Sequence, residues 1–195
     1  MKHDFYFVHG WGFNEEFWKP VIEILESEGV SGFSEIIDMN FFSNKSRKNI
    51  KIRNNNCIFV VHSYGLYWFL KNKIKCKVLI NFFGVPDFIF FQNNSQLTKK
   101  KLIRMINQFQ VQPENVLKNF YSKCKIKTED FPYINSKELY FALKELLTKD
   151  YLKEFRKQSS LIFSIFCSED KILDLNNERL KLLEKNNHFI NFIKN

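Results

Sequence analysis

Glycine and proline are scarce in this chain of 195 residues, which contains 6 and 4 of them, and no low-complexity linker divides the sequence. No apolar run approaches the roughly 18 residues that a membrane-spanning helix needs. Residues 1–5 lack the apolar core and the small-residue cleavage site of a signal peptide. We therefore expect one cytoplasmic domain, residues 1–195, without membrane contact.

Cysteine and histidine are also rare, with four residues of each. The cysteines are far apart in the sequence and form no CxxC pair that would indicate zinc, so we expect reduced thiols, no metal site and no cofactor. These thiols belong to Cys57, Cys76, Cys124 and Cys167. With so few histidines, the choice of a general base is narrow.

Short apolar runs alternate with segments of helical periodicity, a pattern that favours a mostly parallel sheet covered on both faces. The runs that predict strands are residues 5–8, 34–39, 57–61, 78–83 and 161–167. Residues 180–183 offer room for one further strand. Residues 44–56 are polar and basic and predict a short connection or a helix.

Residues 92–158 have helical periodicity throughout, with breaks near Pro113 and Pro132. They lie between the fourth and fifth predicted strands. We therefore predict a helical lid, residues 88–158, inserted into the single domain before its last long strand.

Ser63 follows an apolar strand and precedes a helical stretch, in the sequence Val61-His62-Ser63-Tyr64-Gly65. A serine on a sharp strand-to-helix bend is exposed to substrate, and Gly65 matches the second glycine of the pattern GxSxG. The first glycine is replaced by Val61. This spacing makes Ser63 the candidate nucleophile.

A glycine-rich turn, His9-Gly10-Trp11-Gly12, follows the first strand. The tetrahedral intermediates of acyl transfer carry a negative oxygen, which backbone N–H groups stabilise. We predict that the N–H groups of Trp11 and Tyr64, the residue after the candidate nucleophile, form this oxyanion hole.

An acid and then a histidine follow in the order Ser, Asp, His that α/β-hydrolases use. Asp170 comes directly after the last long strand, and His188 is the one histidine that this order leaves as the base. Asp87, after the fourth strand, is the alternative acid, and Asp174 is a weaker one. The predicted catalytic set is therefore Ser63, Asp170 and His188.

With these motifs the chain resembles the pimeloyl-[acyl-carrier protein] methyl ester carboxylesterases of biotin synthesis. The likeness rests on residues 8–14 with Trp18, and on residues 139–147 with 150–152. It implies a compact α/β-hydrolase fold and a monomeric serine carboxylesterase. The implied reaction releases methanol and pimeloyl-[acyl-carrier protein]. The chain is shorter than typical members, and little of it follows His188.

Basic residues dominate the first half of the predicted lid. The chain has a formal net charge of +9, and residues 98–127 contain Glu114 as their one acidic residue. Because acyl-carrier protein is acidic, a basic lid predicts a docking surface for it. The predicted docking residues are Lys99, Lys100, Lys101, Arg104 and Lys118. No nucleic-acid-binding motif accompanies the charge, so no nucleic acid is expected as a partner.

Two alternatives remain open on the sequence. A general carboxylesterase or an acyl thioesterase would use the same catalytic residues, since ester and thioester cleavage share one mechanism. A non-catalytic binding protein with a hydrolase fold is the other, and Val61 and the short C-terminal segment favour it.

Overall fold

Six strands form one sheet in a computed structural model of the chain, which describes residues 3–30, 32–44, 52–127, 131, 133–184 and 187–194. All neighbouring strands pair in parallel, in the order β2-β1-β3-β4-β5-β6. The strands are β1 (His3–Val8), β2 (Gly32–Ile37), β3 (Ile58–His62), β4 (Val78–Phe82), β5 (Leu161–Cys167) and β6 (His188–Ile193). The prediction of a mostly parallel sheet is confirmed.

Helices connect these strands. They are α1 (Lys19–Ser27), α2 (Gly65–Lys71), α3 (Ser95–Val111), α4 (Pro113–Lys123), α5 (Ser136–Thr148), α6 (Leu152–Arg156) and α7 (Asn177–Leu180). Short 3-10 segments, Glu15–Trp18 and Lys181–Leu183, precede α1 and follow α7. No helix in the described part of the chain has the length and apolarity to span a membrane.

The two faces of the sheet bury different clusters, because successive side chains of a strand point to opposite faces. Phe5 and Phe7 of β1 pack with Trp18 on the face that α1 covers. Tyr6 and Val8 belong to the larger cluster on the other face, which also includes most of the buried side chains of α2. The end of β3, where Ser63 follows, is therefore held from both sides.

Four helices, α3 to α6, lie between β4 and β5 and are called the helical insert below. Asn94 caps α3 by accepting a hydrogen bond from the N–H of Leu97 at 2.9 Å, and Pro113 starts α4. The buried apolar side chains of the insert, apart from Tyr121, belong to the same cluster as the second face of the sheet; they include Leu102, Phe109, Leu117 and Leu139.

The last strand differs from its prediction. Residues 180–183 are helical, at the end of α7 and in the 3-10 segment, and β6 begins at His188 itself. Leu180 and Leu183 are both buried at a helical spacing of three, while the apolar run after His188 forms the strand. Residues 45–51 and Pro132, which the sequence placed in a connection and at a helix break, lie outside the described residues.

Candidate active site

Ser63 sits at a strained bend between β3 and α2. Its φ angle is +52°, in the left-handed region that residues other than glycine rarely adopt. Its N–H donates to the carbonyl of Phe82 at 2.7 Å, and its own carbonyl accepts from the N–H of Leu66 at 3.0 Å. Such strain persists only where the surroundings hold it, and it concentrates at functional sites.

The end of β1 lies directly against this bend. A Cβ on Gly65 would lie 2.7 Å from the carbonyl oxygen of Val8 and 3.1 Å from that of His9, so only glycine fits without displacing the backbone. A Cβ on Gly10 would lie 2.6 Å from Nδ1 of His62. The glycine-rich turn that was predicted to carry the oxyanion hole is thus adjacent to the candidate nucleophile.

Helix α5 of the insert accepts hydrogen bonds from the side chains of both residues whose N–H groups were predicted to form the oxyanion hole. The indole of Trp11 is buried and donates to the carbonyl of Leu139 at 2.9 Å. The N–H of Trp11 makes no hydrogen bond to any residue that the structure describes. The hydroxyl of Tyr64 donates to Glu145 of α5, and this carboxylate also accepts from Lys71 at 2.5 Å.

All three candidate acids follow strand ends at the same edge of the sheet as Ser63, but each carboxylate is engaged locally. Asp170 accepts from the N–H groups of Ile172 and Leu173 at 2.6 and 2.9 Å. Asp87 likewise accepts from two N–H groups of the turn that follows it, and burial raises its pKa. Asp174 accepts from Asn93 at 2.7 Å. These contacts shape loops, and none joins an acid to His188.

The structure does not bring His188 to Ser63. Its imidazole is buried at the start of β6, where Nδ1 contacts the carbonyl of Leu183 and Nε2 lies 2.9 Å from Oγ of Ser164. In the register of the sheet His188 is level with Phe59, near the start of β3, whereas Ser63 follows the end of that strand.

The separation can be estimated from sheet geometry. Four residue positions along a strand and three strand spacings place the imidazole about 13 Å below and about 14 Å to the side of Ser63. The prediction that His188 serves as the base of Ser63 is therefore wrong in this structure. The physical reason is that the histidine precedes the last strand, while the loops around Ser63 follow the strand ends.

The rings of the other two histidines near the site also have contacts of their own and do not reach the hydroxyl of Ser63. The ring of His62 stacks on Phe17 with centroids 4.5 Å apart, and its buried Nδ1 has no hydrogen-bond partner in the described residues. Burial, with a smaller contribution from His9, lowers the pKa of His62 to about 3. His9 is buried, and its Nε2 contacts Asp38 and the N–H of Met39, both at 3.1 Å. Within the described part of the chain no imidazole hydrogen-bonds the hydroxyl of Ser63.

A second bend, which the local sequence pattern did not predict, lies behind Ser63. Phe83, directly after β4, has a φ of +57°, and its N–H donates to the carbonyl of Ile165 at 2.9 Å. Gly84 follows, and a Cβ there would lie 3.1 Å from the carbonyl oxygen of Ser63. The polar Asn81 inside an apolar strand was the available signal, because a buried amide requires partners.

No protein-family model matches the chain, and none of the curated proteins matches its sequence. Solved structures do match. An esterase (EaEST) from Exiguobacterium antarcticum is 13% identical with a TM-score of 0.74, and the match covers 97% of this chain and 82% of that one. A thermophilic esterase from Thermogutta terrifontis is 14% identical with a TM-score of 0.65, over 100% of this chain and 82% of that one. This chain has the α/β-hydrolase fold.

A further match is E-2-(acetamidomethylene)succinate hydrolase, with 12% identity, a TM-score of 0.62 and coverage of 98% of this chain and 84% of that one. At such identities the likeness establishes the α/β-hydrolase fold, and the reaction must be argued from the site. Enzymes of that fold carry a nucleophile on the turn between a strand and the following helix, and Ser63 occupies a turn of this kind between β3 and α2.

The predicted docking residues lie on two helices of the insert. Lys99, Lys100, Lys101 and Arg104 are on α3, and Lys118 is on α4. All five are exposed, and none forms an ion pair with a residue that the structure describes. Among the same described residues, no group of three or more His, Cys, Asp or Glu side chains is arranged to hold a metal ion.

Proposed function

We propose that this α/β-hydrolase cleaves carboxylic esters with Ser63 as the nucleophile. The observation that carries the proposal is the left-handed conformation of Ser63 at the bend between β3 and α2, pressed against the glycine-rich turn. A strained serine at that place is costly to hold and exposes its hydroxyl to substrate.

In the proposed reaction Oγ of Ser63 attacks the ester carbonyl, and the N–H groups of Trp11 and Tyr64 stabilise the oxyanion. The alcohol leaves with the proton that the Ser63 hydroxyl gives up, and water then attacks the acyl-serine to release the acid and return a proton to Oγ. Because no described imidazole contacts this hydroxyl, we expect slow turnover. Serine hydrolases that lose a triad member retain about 10³–10⁴-fold acceleration over water from the oxyanion hole and substrate binding.

Covalent labelling tests the role of Ser63. A fluorophosphonate probe should label the wild-type protein at Ser63, and Ser63→Ala should abolish both labelling and the hydrolysis of a short p-nitrophenyl ester. Ser122→Ala, which removes an exposed serine of α4, is the matched control and should leave both intact. Equal hydrolysis by Ser63→Ala and the wild type would refute the proposal.

The narrower proposal is that the substrate is the methyl ester of pimeloyl-[acyl-carrier protein]. Its support is the resemblance in the first strand and the insert, together with the unpaired basic residues on α3 and α4. An acidic carrier approaching these helices would be attracted at long range.

Charge reversal separates carrier docking from chemistry. Replacing Lys100, Lys101 and Arg104 by Glu should raise KM for a carrier-bound ester about tenfold or more and spare a small free ester, since steering acts on the carrier. The matched control replaces Lys75, Lys77 and Lys157 by Glu; these are exposed lysines that precede β4 and β5, at the opposite ends of the strands from Ser63. Equal effects of both triple variants would contradict docking on α3.

A comparison of methyl-ester and thioester substrates distinguishes the thioesterase alternative.

A non-catalytic binding protein is the second candidate, and the position of His188 favours it. Both nitrogens of its ring are engaged inside the sheet, away from Ser63. This candidate predicts that Ser63 is not labelled and that any ester hydrolysis is independent of it, so the labelling experiment decides between the two.

A further inference from the structure

Three polar side chains lie deep in the otherwise apolar interior between β6 and the bend that follows β4. His188 is 5% exposed, and Ser164 and Asn81 are 0% exposed. They point to the same face of the sheet as Val61, the residue two positions before Ser63. Burying a polar group costs free energy unless the group is hydrogen-bonded, so the hydrogen-bond partners of these side chains indicate which part of the backbone they stabilise.

Hydrogen bonds connect Asn81 to Ser164 and Ser164 to His188. A carbonyl can only accept, so Nδ1 of His188 carries a proton and donates it to Leu183; when the ring is neutral, Nε2 is then the acceptor. The hydroxyl of Ser164 therefore donates to Nε2 at 2.9 Å. The amide of Asn81 donates one hydrogen to Ser164 at 2.9 Å and the other to the carbonyl of Gly84 at 2.8 Å.

Gly84 connects this network to the nucleophile. A Cβ on Gly84 would lie 2.8 Å from Cβ of Leu66 and 3.1 Å from the carbonyl oxygen of Ser63, so its backbone is packed against the bend. Two residues earlier, Phe82 accepts the N–H of Ser63 at 2.7 Å. The turn of residues 82–84 thus touches Ser63 on both sides of its peptide backbone.

We infer that His188, Ser164 and Asn81 form a buried polar network that positions Ser63 by fixing the turn of residues 82–84. His188, which the sequence suggested as the base, is on this inference a positioning residue. Ser63 and Phe83 both have positive φ angles, and strained residues need surroundings that hold them. The functional meaning of the inference rests on the proposed role of Ser63.

A pair of serine-to-alanine variants tests the network. Ser164→Ala breaks the link between His188 and Asn81. Ser160→Ala is the matched control, because Ser160 is 2% exposed and donates to the carbonyl of Cys76 at 2.8 Å but has no bond to Asn81. Both variants lose one buried hydroxyl, so both should lose thermal stability to a similar extent.

Amide hydrogen exchange reports the turn without requiring activity. In Ser164→Ala the amides of Ser63 and Phe83 should exchange about tenfold faster than in Ser160→Ala, while the ladder between β1 and β3 exchanges alike in both. Ser164→Thr keeps the hydroxyl and should restore slow exchange. Equal exchange at Ser63 and Phe83 in the two alanine variants overturns the inference.

The labelling rate of Ser63 adds the functional readout. We expect Ser164→Ala to react with the fluorophosphonate about ten- to a hundredfold more slowly than Ser160→Ala, because a small misplacement of a nucleophile has effects of this size. Faster exchange with an unchanged labelling rate overturns the positioning role. If the wild-type protein is not labelled, the proposed function fails, and the exchange data alone decide whether the network holds the turn.

Discussion

His62 and Ser63 are adjacent residues with opposite environments. The ring of His62 is packed among aromatic side chains that include Phe13 and Phe17, whereas Ser63 turns its backbone into the left-handed region. The buried Nδ1 of His62 has no hydrogen-bond partner in the described residues, so a charge on this ring would be strongly disfavoured.

The pKa of His62 predicts a specific acid sensitivity. Burial lowers this pKa from its ordinary value of 6.5 to about 3, so below pH 6.5 the unfolded chain binds a proton that the folded protein does not. Stability should therefore fall with decreasing pH, by at most about 1.4 kcal/mol per pH unit from this residue. His62→Phe should remove that part of the loss. Chemical denaturation at pH 7 and pH 5 measures it, and identical losses in both proteins would contradict the assignment.

Gly65 and Gly29 provide a second test at the residue scale. Gly65→Ala should destabilise the protein by about 1–3 kcal/mol, because the added methyl group meets the backbone of Val8 and His9. Gly29→Ala meets no atom within 4 Å and should cost about 1 kcal/mol through its positive φ alone. Thermal unfolding gives the stabilities. Labelling of Ser63 should slow in Gly65→Ala but not in Gly29→Ala. Equal labelling of the two variants would show that the packing at Gly65 does not position Ser63.

Single residues were predictable where the local pattern determines the backbone. The bend at Ser63 was predictable because a strand precedes it and a glycine follows two positions later, and both signals are local. The environment of His188 depends on Ser164 and Leu183, which belong to other elements. The order of a serine, an acid and a histidine along a chain does not encode which end of a strand the histidine occupies.

At the scale of elements, helix α4 is fastened to the glycine-rich turn. The hydroxyl of Tyr121 donates to the carbonyl of Gly12, and Phe120 packs edge-on against Trp11 with centroids 5.0 Å apart. The insert thus contacts the predicted oxyanion hole directly, so movements of α4 and the geometry of this turn are coupled.

Removing the Tyr121 hydroxyl tests that coupling. Tyr121→Phe leaves the carbonyl of Gly12 without its donor and should cost about 1–3 kcal/mol. Tyr133→Phe, at a residue that is 43% exposed, is the matched control and should leave stability unchanged within about 0.5 kcal/mol. Denaturant titration measures both variants, and an equal, negligible effect would show that the bond does not fasten α4.

Five of the six strands were predictable as elements because each is a short apolar run followed by turn residues. The sixth strand was predicted too early in the chain, in the helical segment that precedes it. The leucines of residues 180–183 were assigned to a strand, but their spacing buries Leu180 and Leu183 on one side of a helix. The strand instead uses the aromatic and β-branched residues after His188, which is the composition that strands favour.

For the whole molecule, the insert and the sheet share one hydrophobic cluster. Phe109 of α3 is 1% exposed and packs with Trp11 of the glycine-rich turn, which is itself in contact with the sheet core. Because the insert has no separate core among the described residues, we expect it to unfold together with the sheet.

Phe109→Ala should therefore destabilise the entire protein by about 3–5 kcal/mol and leave one transition. Far-UV and near-UV circular dichroism should report coincident denaturation curves. Phe141→Ala, on α5 at 51% exposure, is the control and should change stability by no more than about 0.5 kcal/mol. Two separate transitions in Phe109→Ala would mean that the insert unfolds independently.

The parallel sheet also has a consequence for how the molecule forms. None of the five pairings is a hairpin, so each strand meets its neighbour only after a crossover has been closed. β1 lies between β2 and β3, and neither of its two pairings can form before the connecting segment has folded back. Early local nucleation at this strand is therefore unfavourable. Refolding should accordingly be slow, on a timescale of about milliseconds to seconds, and the apolar strand edges stay open to self-association during that interval.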